Sequence, residues 1–235
     1  TQKNMDNKLF SNRLLHVPLF QGFSRLDFLD IVAKIPFDFK TLRPNEYVVK
    51  QGEECLGLCV VLSGEVETEC MSPDQVYTYG ERLGAPWCLQ IENLFGYHNR
   101  YTKSYRTLTE TQVMFIAKQD VRRMLVDYPA FQINFYNALS TLAQTAVQHN
   151  WSKCPEELEL RFLCFVENRS LRPIGSKFLR IRMRDLADEL GATRLRVSRM
   201  LAQLSDLGLV VCSRGAIRIP QLEKLQMALR SSFKK

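Results

Sequence analysis

The sequence lacks the features that several classes of protein require. No apolar run approaches the roughly 20 residues that a helix needs to span a bilayer, and no secretory signal is recognised. It also contains no CxxC pair, no metal-ligand spacing, no glycine-rich phosphate-binding loop and no nucleophile–base constellation. These absences argue against a membrane protein, a metal site and an enzyme, and we expect a binding protein instead.

The cysteines favour an intracellular location. Seven of them, an odd number, are scattered singly through the 235 residues. Without a secretory signal, scattered cysteines suit a reducing cytosol, so we expect a cytoplasmic protein. We interpret most of them as buried thiols that pack like small apolar side chains.

The charge is distributed unevenly along the chain. Residues 151–235 hold 17 Lys and Arg against 9 Asp and Glu, whereas residues 1–150 hold 15 against 16. A basic C-terminal part beside a near-neutral N-terminal part predicts a nucleic-acid surface that is confined to one domain. The length predicts one or two domains.

Residues 183–208 predict two short helices joined by a tight turn. Leu186, Ala187 and Leu190 form an apolar stripe on the first helix, and Gly191 suits the turn. Thr193 can cap the second helix. The predicted buried stripe of that helix is Val197, Met200, Leu201 and Leu204, and its exposed face carries Leu195, Ser198, Arg199 and Ala202, flanked by Arg194 and Arg196. An ordinary surface helical hairpin with solvated arginines is the alternative.

Two short β runs follow the helices directly. Residues 209–212 and 216–219 are apolar and β-branched, and Ser213-Arg214-Gly215 separates them as a turn. A helical pair followed by a small hairpin is a winged helix. Arg214 at the tip is placed to meet a phosphate.

Residues 183–219 resemble the DNA-binding half of the catabolite activator / fumarate–nitrate regulator (CRP/FNR-type) family of bacterial transcription regulators. Arg194 and Arg199 fall on the two arginine positions of the family's recognition helix. Leu195 departs from the pattern, because the family usually has a glutamate there that accepts from cytosine. The resemblance implies a homodimer on double-stranded DNA, with RNA polymerase as a further partner. The predicted DNA-binding residues are Arg182, Arg196 and Arg214 for phosphates and Arg194, Ser198 and Arg199 for bases, with Thr193 as a further member.

Residues 37–118 read as many short β runs with turn signals between them, which favours a sandwich or barrel. The layout resembles the jelly-roll effector domain of the same family, with Gly52, Gly64 and Gly80 at its turn positions. We therefore predict an α+β fold in three parts. These are a cyclic-nucleotide-binding-like β-roll (1–128), a long dimerisation helix with the hinge (129–152), and a winged helix-turn-helix domain (153–235).

The effector pocket differs from that of the nucleotide-binding members of the family. The position of their ribose-binding glutamate is Ala85 here, and the position of their phosphate-binding arginine falls near Tyr101, with Arg100 beside it. We therefore predict that the effector is not a cyclic nucleotide. The alternative is that the protein responds to cAMP through a pocket whose residues have diverged from those of the family. Residues 84–104 are rich in aromatic and apolar side chains. These could fill the core, close an empty pocket, or line a pocket for an apolar ligand or a flat cofactor. The predicted pocket residues are Gly84, Trp87, Arg100, Tyr101 and Thr102.

A haem-based gas or redox sensor that still binds DNA is the other alternative. Cys88 and His98 are the candidate haem ligands. The iron–sulfur members of the family need a cysteine cluster near the N-terminus, and this region has none, so we expect no iron–sulfur cluster. The sequence leaves the cofactor unidentified.

The residues after Pro129 predict a long helix with a repeating apolar stripe. The spacings of 4, 3, 4, 3 and 4 are those of a coiled-coil seam about three heptads long. A helix packed on its own domain is the alternative, but the family dimerises through this helix, and the resemblance favours the seam. The predicted interface is Phe131, Phe135, Ala138, Leu142, Thr145 and His149. Ala146 and Val147 stand where nucleotide binders place the Thr-Ser pair that reaches the base.

Overall fold

The computed structural model describes residues 14–151 and 155–232; the side chains of residues 149–151 and 232 are outside this description. The helices are α1 (Arg25–Lys34), α2 (Lys118–Asp127), α3 (Pro129–Trp151), α4 (Leu158–Glu167), α5 (Met183–Glu189), α6 (Arg194–Asp206) and α7 (Leu222–Ser232). The strands are β1 (Asp38–Leu42), β2 (Tyr47–Val49), β3 (Gly57–Ser63), β4 (Glu65–Met71), β5 (Thr78–Gly84), β6 (Trp87–Leu89), β7 (Ser104–Thr107), β8 (Thr111–Ala117), β9 (Lys177–Arg180), β10 (Val211–Ser213) and β11 (Ala216–Ile219).

The chain forms two compact units. The first contains Thr1–Val66 and Leu83–Asn150, and the second contains Glu67–Arg82 and Trp151–Lys235. No described helix combines the length and the apolar character that crossing a bilayer demands.

The first unit is a β-roll with helices packed on it. One sheet has the antiparallel order β1-β8-β3-β6, and β2 pairs with β7. Residues 57–62 of β3 are all buried, because both faces of this central strand are covered. One face of the sheet shares a core with α1, α2 and α3; its members include Phe20, Phe28, Ile31, Leu58, Val60, Met114, Ile116, Val121, Met124, Phe131 and Phe135.

The start of α1 shows how local sequence sets an element. The Ser24 hydroxyl accepts from the Asp27 backbone N–H at 3.2 Å, and the Asp27 carboxylate accepts from the Ser24 backbone N–H at 2.8 Å. The hydrogen bonds from Ser24 lower the pKa of Asp27. Ser24 and Asp27 thus form a reciprocal capping box at the start of the helix.

The second unit combines helices α4 to α7 with a sheet in which β10, β11, β9, β5 and β4 are neighbours in that order. β9 pairs with β11 on one side and with β5 on the other, both antiparallel. The core of the unit includes Tyr77, Tyr79, Phe162, Phe165, Leu179, Leu186, Val197, Met200, Leu201, Leu204, Ile217, Ile219, Leu222 and Leu225.

The compact units group one segment apart from the rest of the predicted effector domain. Glu67–Arg82 of the β4–β5 region lies in the second unit, where β5 pairs with β9 and its tyrosines enter the core. The long helix α3 up to Asn150 belongs to the first unit rather than to a separate part. The predicted hinge lies largely outside the described residues, since residues 152–154 are not described.

Candidate nucleic-acid interface

The second unit contains the predicted helix-turn-helix, α5 followed by α6. Gly191 between them has φ of 57°, a conformation that a residue with a side chain adopts at a cost. The Thr193 hydroxyl accepts from the Arg196 backbone N–H at 3.4 Å and so caps α6. The predicted buried stripe is confirmed, because Val197, Met200, Leu201 and Leu204 are all at most 2% exposed.

Burial of that stripe turns the opposite side of α6 to solvent. Arg194, Arg196 and Arg199 are exposed, and none of them has an acidic partner among the described residues. Ser198 and Ala202 are short exposed side chains on the same helix. A face of small residues and unpaired guanidinium groups can approach a groove closely and donate to guanine or to phosphate.

Two further predicted phosphate contacts border this helix. Arg214 is exposed at the turn between β10 and β11, where the wing ends. Arg182 precedes α5 and is also exposed, but its Nε is 2.8 Å from the Asp185 carboxylate. Arg182 can therefore offer only its remaining N–H groups to a phosphate, whereas Arg214 has no described partner.

Arg161 of α4 hydrogen-bonds to the turn between α5 and α6. Its Nη1 donates to the backbone carbonyl oxygens of Leu190 at 2.7 Å and Gly191 at 3.2 Å. These carbonyls follow the end of α5, where no further helical N–H is available to pair with them. Arg161 thereby fixes the angle at which α6 is presented.

A buried ion pair joins β5 to β9 in this unit. Glu81 and Lys177 are opposite each other in the strand pairing, both side chains have no exposed surface, and the Lys177 ammonium donates to the Glu81 carboxylate. The carboxylate also accepts from the backbone N–H of Leu171 at 2.6 Å and of Arg172 at 3.3 Å. Desolvation lowers the pKa of Lys177, and the nearby Glu81 opposes that shift.

Aromatic side chains also hold β5 within the second unit. The Arg169 guanidinium lies 3.8 Å from the centre of the Phe165 ring and donates to the Tyr77 hydroxyl at 2.6 Å. Gly80 allows the Phe178 ring to approach, because a side chain at residue 80 would overlap that ring and the Thr68 carbonyl oxygen. The β5 strand is thus packed as part of the unit that carries α6.

Arg100, the charged residue of the predicted effector pocket, lies at the surface of the first unit. Arg100 is exposed, and its Nη1 donates to the Gly52 carbonyl oxygen at 2.8 Å. Tyr101, at the position of the family's arginine, is 4% exposed, and burial raises the pKa of its hydroxyl. Gly84 and Trp87 are half-buried, and Ala85 has no side-chain acceptor to offer.

An amide network that the sequence did not reveal occupies the same segment. The Gln90 side-chain oxygen accepts from the Asn93 amide at 2.7 Å and from the Thr102 backbone N–H at 2.7 Å. The Gln90 amide nitrogen donates to the Tyr105 hydroxyl at 3.4 Å. Gln90, Asn93 and Tyr105 are all buried, so this wall of the β-roll is polar and internally hydrogen-bonded.

The candidate haem ligands differ in their surroundings. Cys88 packs against the core of the first unit, and burial raises the pKa of its thiol to about 12. His98 is exposed in the loop before Arg100.

Two family models match the chain, one on each side of α3. The model of the cyclic nucleotide-binding domain matches residues 39–128, and that of the Crp-like helix-turn-helix domain matches residues 160–228. Together they cover more than half of the sequence. The chain belongs to the CRP/FNR family of transcription regulators.

Two solved bacterial proteins are similar to this CRP/FNR-type regulator along most of the chain. A protein from Eubacterium rectale described as a transcriptional regulator of the crp/fnr family aligns with a TM-score of 0.50 and 20% identity, over 91% of this chain and 98% of its own. The Thermus thermophilus catabolite activator protein aligns with a TM-score of 0.47 and 19% identity, over 91% and 99%. The helices and strands of the protein and its two family models confirm the predicted α+β fold. No curated protein sequence matches the chain.

The predicted dimer seam of the regulator is wrong in its first half. Phe131 and Phe135 are 0% and 2% exposed and pack in the core of their own unit, with Ala138 against the same core. Side chains already buried within the protomer cannot also form an interface with a second one. Leu142 and Thr145 are exposed, and the side chain of His149 lies outside the described residues.

A different stripe of α3 is exposed along the helix. Ile133, Tyr136 and Val147 are 55%, 50% and 57% exposed, and Ser140 and Ala143 are exposed between them. Their spacings of 3, 4, 3 and 4 are those of a heptad seam. From residue 140 to residue 148 every side chain of α3 is exposed, so this half of the helix lacks packing from its own unit.

Proposed function

We propose that this CRP/FNR-type regulator binds a specific DNA sequence as a homodimer, without catalysis, by inserting α6 into the major groove. The observation that supports this most is the exposed face of α6, where three arginines have no acidic partner among the described residues. Arg194, Ser198 and Arg199 would contact base edges, and Arg196, Arg182 and Arg214 would contact phosphates. Such a protein works where bacterial DNA lies, in the cytoplasm, and RNA polymerase is the further partner that the family implies.

The Arg199→Ala variant tests the assignment of base contacts. We expect the variant to lose about 1–3 kcal/mol of binding free energy on the preferred duplex, because arginine pairs bidentately with guanine. Base preference should also relax at one position in each half-site. Fluorescence anisotropy on the preferred duplex and on its single-base variants measures both effects.

Arg122→Ala is the matched control. Arg122 is also an exposed helical arginine, but it lies on α2 in the first unit. It should leave the affinity unchanged. If Arg199→Ala weakened binding equally on every duplex, Arg199 would be a phosphate contact and not a base contact.

The dimer interface is proposed on the exposed stripe of α3, centred on Ser140, Ala143 and Val147. Supporting evidence is the lack of packing on this part of the helix and its heptad spacing. This face is roughly opposite the predicted seam, because Val147 follows Thr145 of that seam by two positions, which is about 200° around the helix.

Val147→Asp is therefore expected to make the protein monomeric. Two carboxylates would meet in an apolar interface, at several kcal/mol per buried unpaired charge. Sedimentation velocity measures the change. Thr145→Asp, at an exposed position on the other side of the helix, is the control and should remain dimeric. If Thr145→Asp were monomeric and Val147→Asp dimeric, the interface would lie on the predicted stripe that contains Leu142 and Thr145.

The effector is proposed to be something other than a cyclic nucleotide. Arg100 is turned outward to Gly52, Ala85 provides no acceptor, and the position of the phosphate-binding arginine is a buried tyrosine. The buried side chains around Gln90 are amides and hydroxyls that hydrogen-bond to one another, and they provide no cation for a cyclic phosphate.

A further inference from the structure

One residue on the exposed face of α6 does not suit phosphate or base-edge hydrogen bonding. Leu195 is 60% exposed in the first turn of α6, with Ser198, Arg199 and Ala202 three, four and seven positions later. Residues at these spacings share one face of a helix, while Arg194 and Arg196 point about 100° to either side. Leu195 therefore lies at the centre of the surface that would enter the groove.

The leucine side chain limits which base can be bound favourably beside it. If Leu195 faced only the hydrogen-bond donors and acceptors of a base edge, those groups would lose water without gaining a partner, which is unfavourable. The major groove offers one apolar group, the C5-methyl of thymine. Contact between that methyl and the leucine side chain would bury both apolar surfaces.

We propose that Leu195 recognises the C5-methyl group of a thymine, so that each half-site contains one T·A pair selected by an apolar contact. This inference rests on the proposed function, since it requires α6 in the major groove. The thymine should lie within one or two base pairs of the base contacted by Arg199, because the two residues are one helical turn apart on α6. Leu195 would then determine specificity without donating or accepting a hydrogen bond.

The experiment replaces each thymine of the preferred duplex by deoxyuridine, which removes only the methyl group. The duplex is first enriched from a random-sequence pool by the full-length protein. We expect one position in each half-site at which deoxyuridine weakens binding about fourfold, the value of one buried methyl group. At that position the Leu195→Ala variant should bind thymine and deoxyuridine equally.

Leu207→Ala is the matched control, because Leu207 is also exposed, at 70%, but lies at the other end of α6. It should retain the full deoxyuridine effect. Leu195→Glu should shift the preference at the same position from T·A toward C·G, since a carboxylate accepts from the cytosine amino group.

The possible outcomes distinguish the role of Leu195 from the proposed DNA-binding function. Specific binding without any deoxyuridine-sensitive position, or with a sensitivity that Leu195→Ala leaves unchanged, overturns the role of Leu195 and keeps the regulator. If the random pool yields no preferred duplex at all, the proposed function and the inference fall together.

Discussion

The Lys177→Met variant is expected to destabilise the second unit by about 3–5 kcal/mol, because it leaves a buried carboxylate without its cation. Glu81 has no exposed surface, and among the described residues the backbone N–H groups of Leu171 and Arg172 would still donate to its carboxylate after the substitution. Amide hydrogen exchange in β5 and β9 measures this loss where it occurs, without requiring the whole chain to unfold in one step.

Arg180→Met on the same strand is the control for Lys177→Met. The Arg180–Glu69 pair is 3.0 Å long, but its side chains are 60% and 35% exposed, and a solvent-exposed pair contributes about 0–1 kcal/mol. Combining Lys177→Met with Glu81→Gln should recover most of the loss. The amide oxygen still accepts from Leu171, and no charge remains buried. Equal losses from Lys177→Met and Arg180→Met would show that the Glu81–Lys177 pair does not hold β5 to β9.

Neither cyclic AMP nor cyclic GMP is expected to bind in the micromolar range. A cyclic phosphate must leave water to enter the β-roll and needs a charge-assisted partner there, but Arg100 is exposed and bonded to Gly52. The ribose hydroxyl lacks an acceptor at Ala85, and Ala146 and Val147 offer the base no side-chain hydrogen bond. Three losses of about 1–3 kcal/mol each would move a micromolar site to millimolar or beyond.

Isothermal titration with each nucleotide measures this directly. No heat of binding is expected up to about a millimolar, the range that those losses imply. Micromolar binding would contradict the prediction, and Arg100→Ala would then show whether that side chain turns inward to hold the phosphate. An absorption spectrum of the purified protein tests the haem alternative on the same sample.

The helix-turn-helix could be predicted from sequence because its signals are local. The apolar stripe of α6 repeats with the helical period, Gly191 and Thr193 mark the turn between the helices, and all of these lie within 26 residues. The support from Arg161 could not be predicted, because an arginine on an amphipathic helix is usually solvated and its carbonyl partners follow 29 and 30 residues later.

The position of β5 needed information that no local pattern contains. Residues 78–81 read as part of a strand, and a glutamate is expected at the surface because charged side chains are rarely buried. Only pairing with β9, 96 residues further along the chain, makes the carboxylate a buried partner of Lys177. A strand sequence predicts that a strand forms, but it rarely identifies the neighbouring strand.

The two stripes of α3 explain why the sequence alone does not locate the dimer interface. The stripe through Phe131 and Phe135 has the spacing of a coiled-coil seam, and the resemblance to the family favours it. In the structure those aromatic side chains fill the core of the first unit, which leaves the milder stripe of Ile133, Tyr136 and Val147 exposed. A helix with two apolar faces does not reveal from its sequence which face its own domain covers.

Selection of duplexes from a random-sequence pool by the purified full-length protein is the most direct test of specific DNA binding. We expect enrichment of a two-fold symmetric sequence whose half-sites lie about one helical turn apart, since each protomer would place one α6 in the major groove. Two protomers should be bound to each enriched duplex. Recovery of a pool without any common sequence, or of a single half-site bound by one protomer, would contradict a dimeric, sequence-specific regulator.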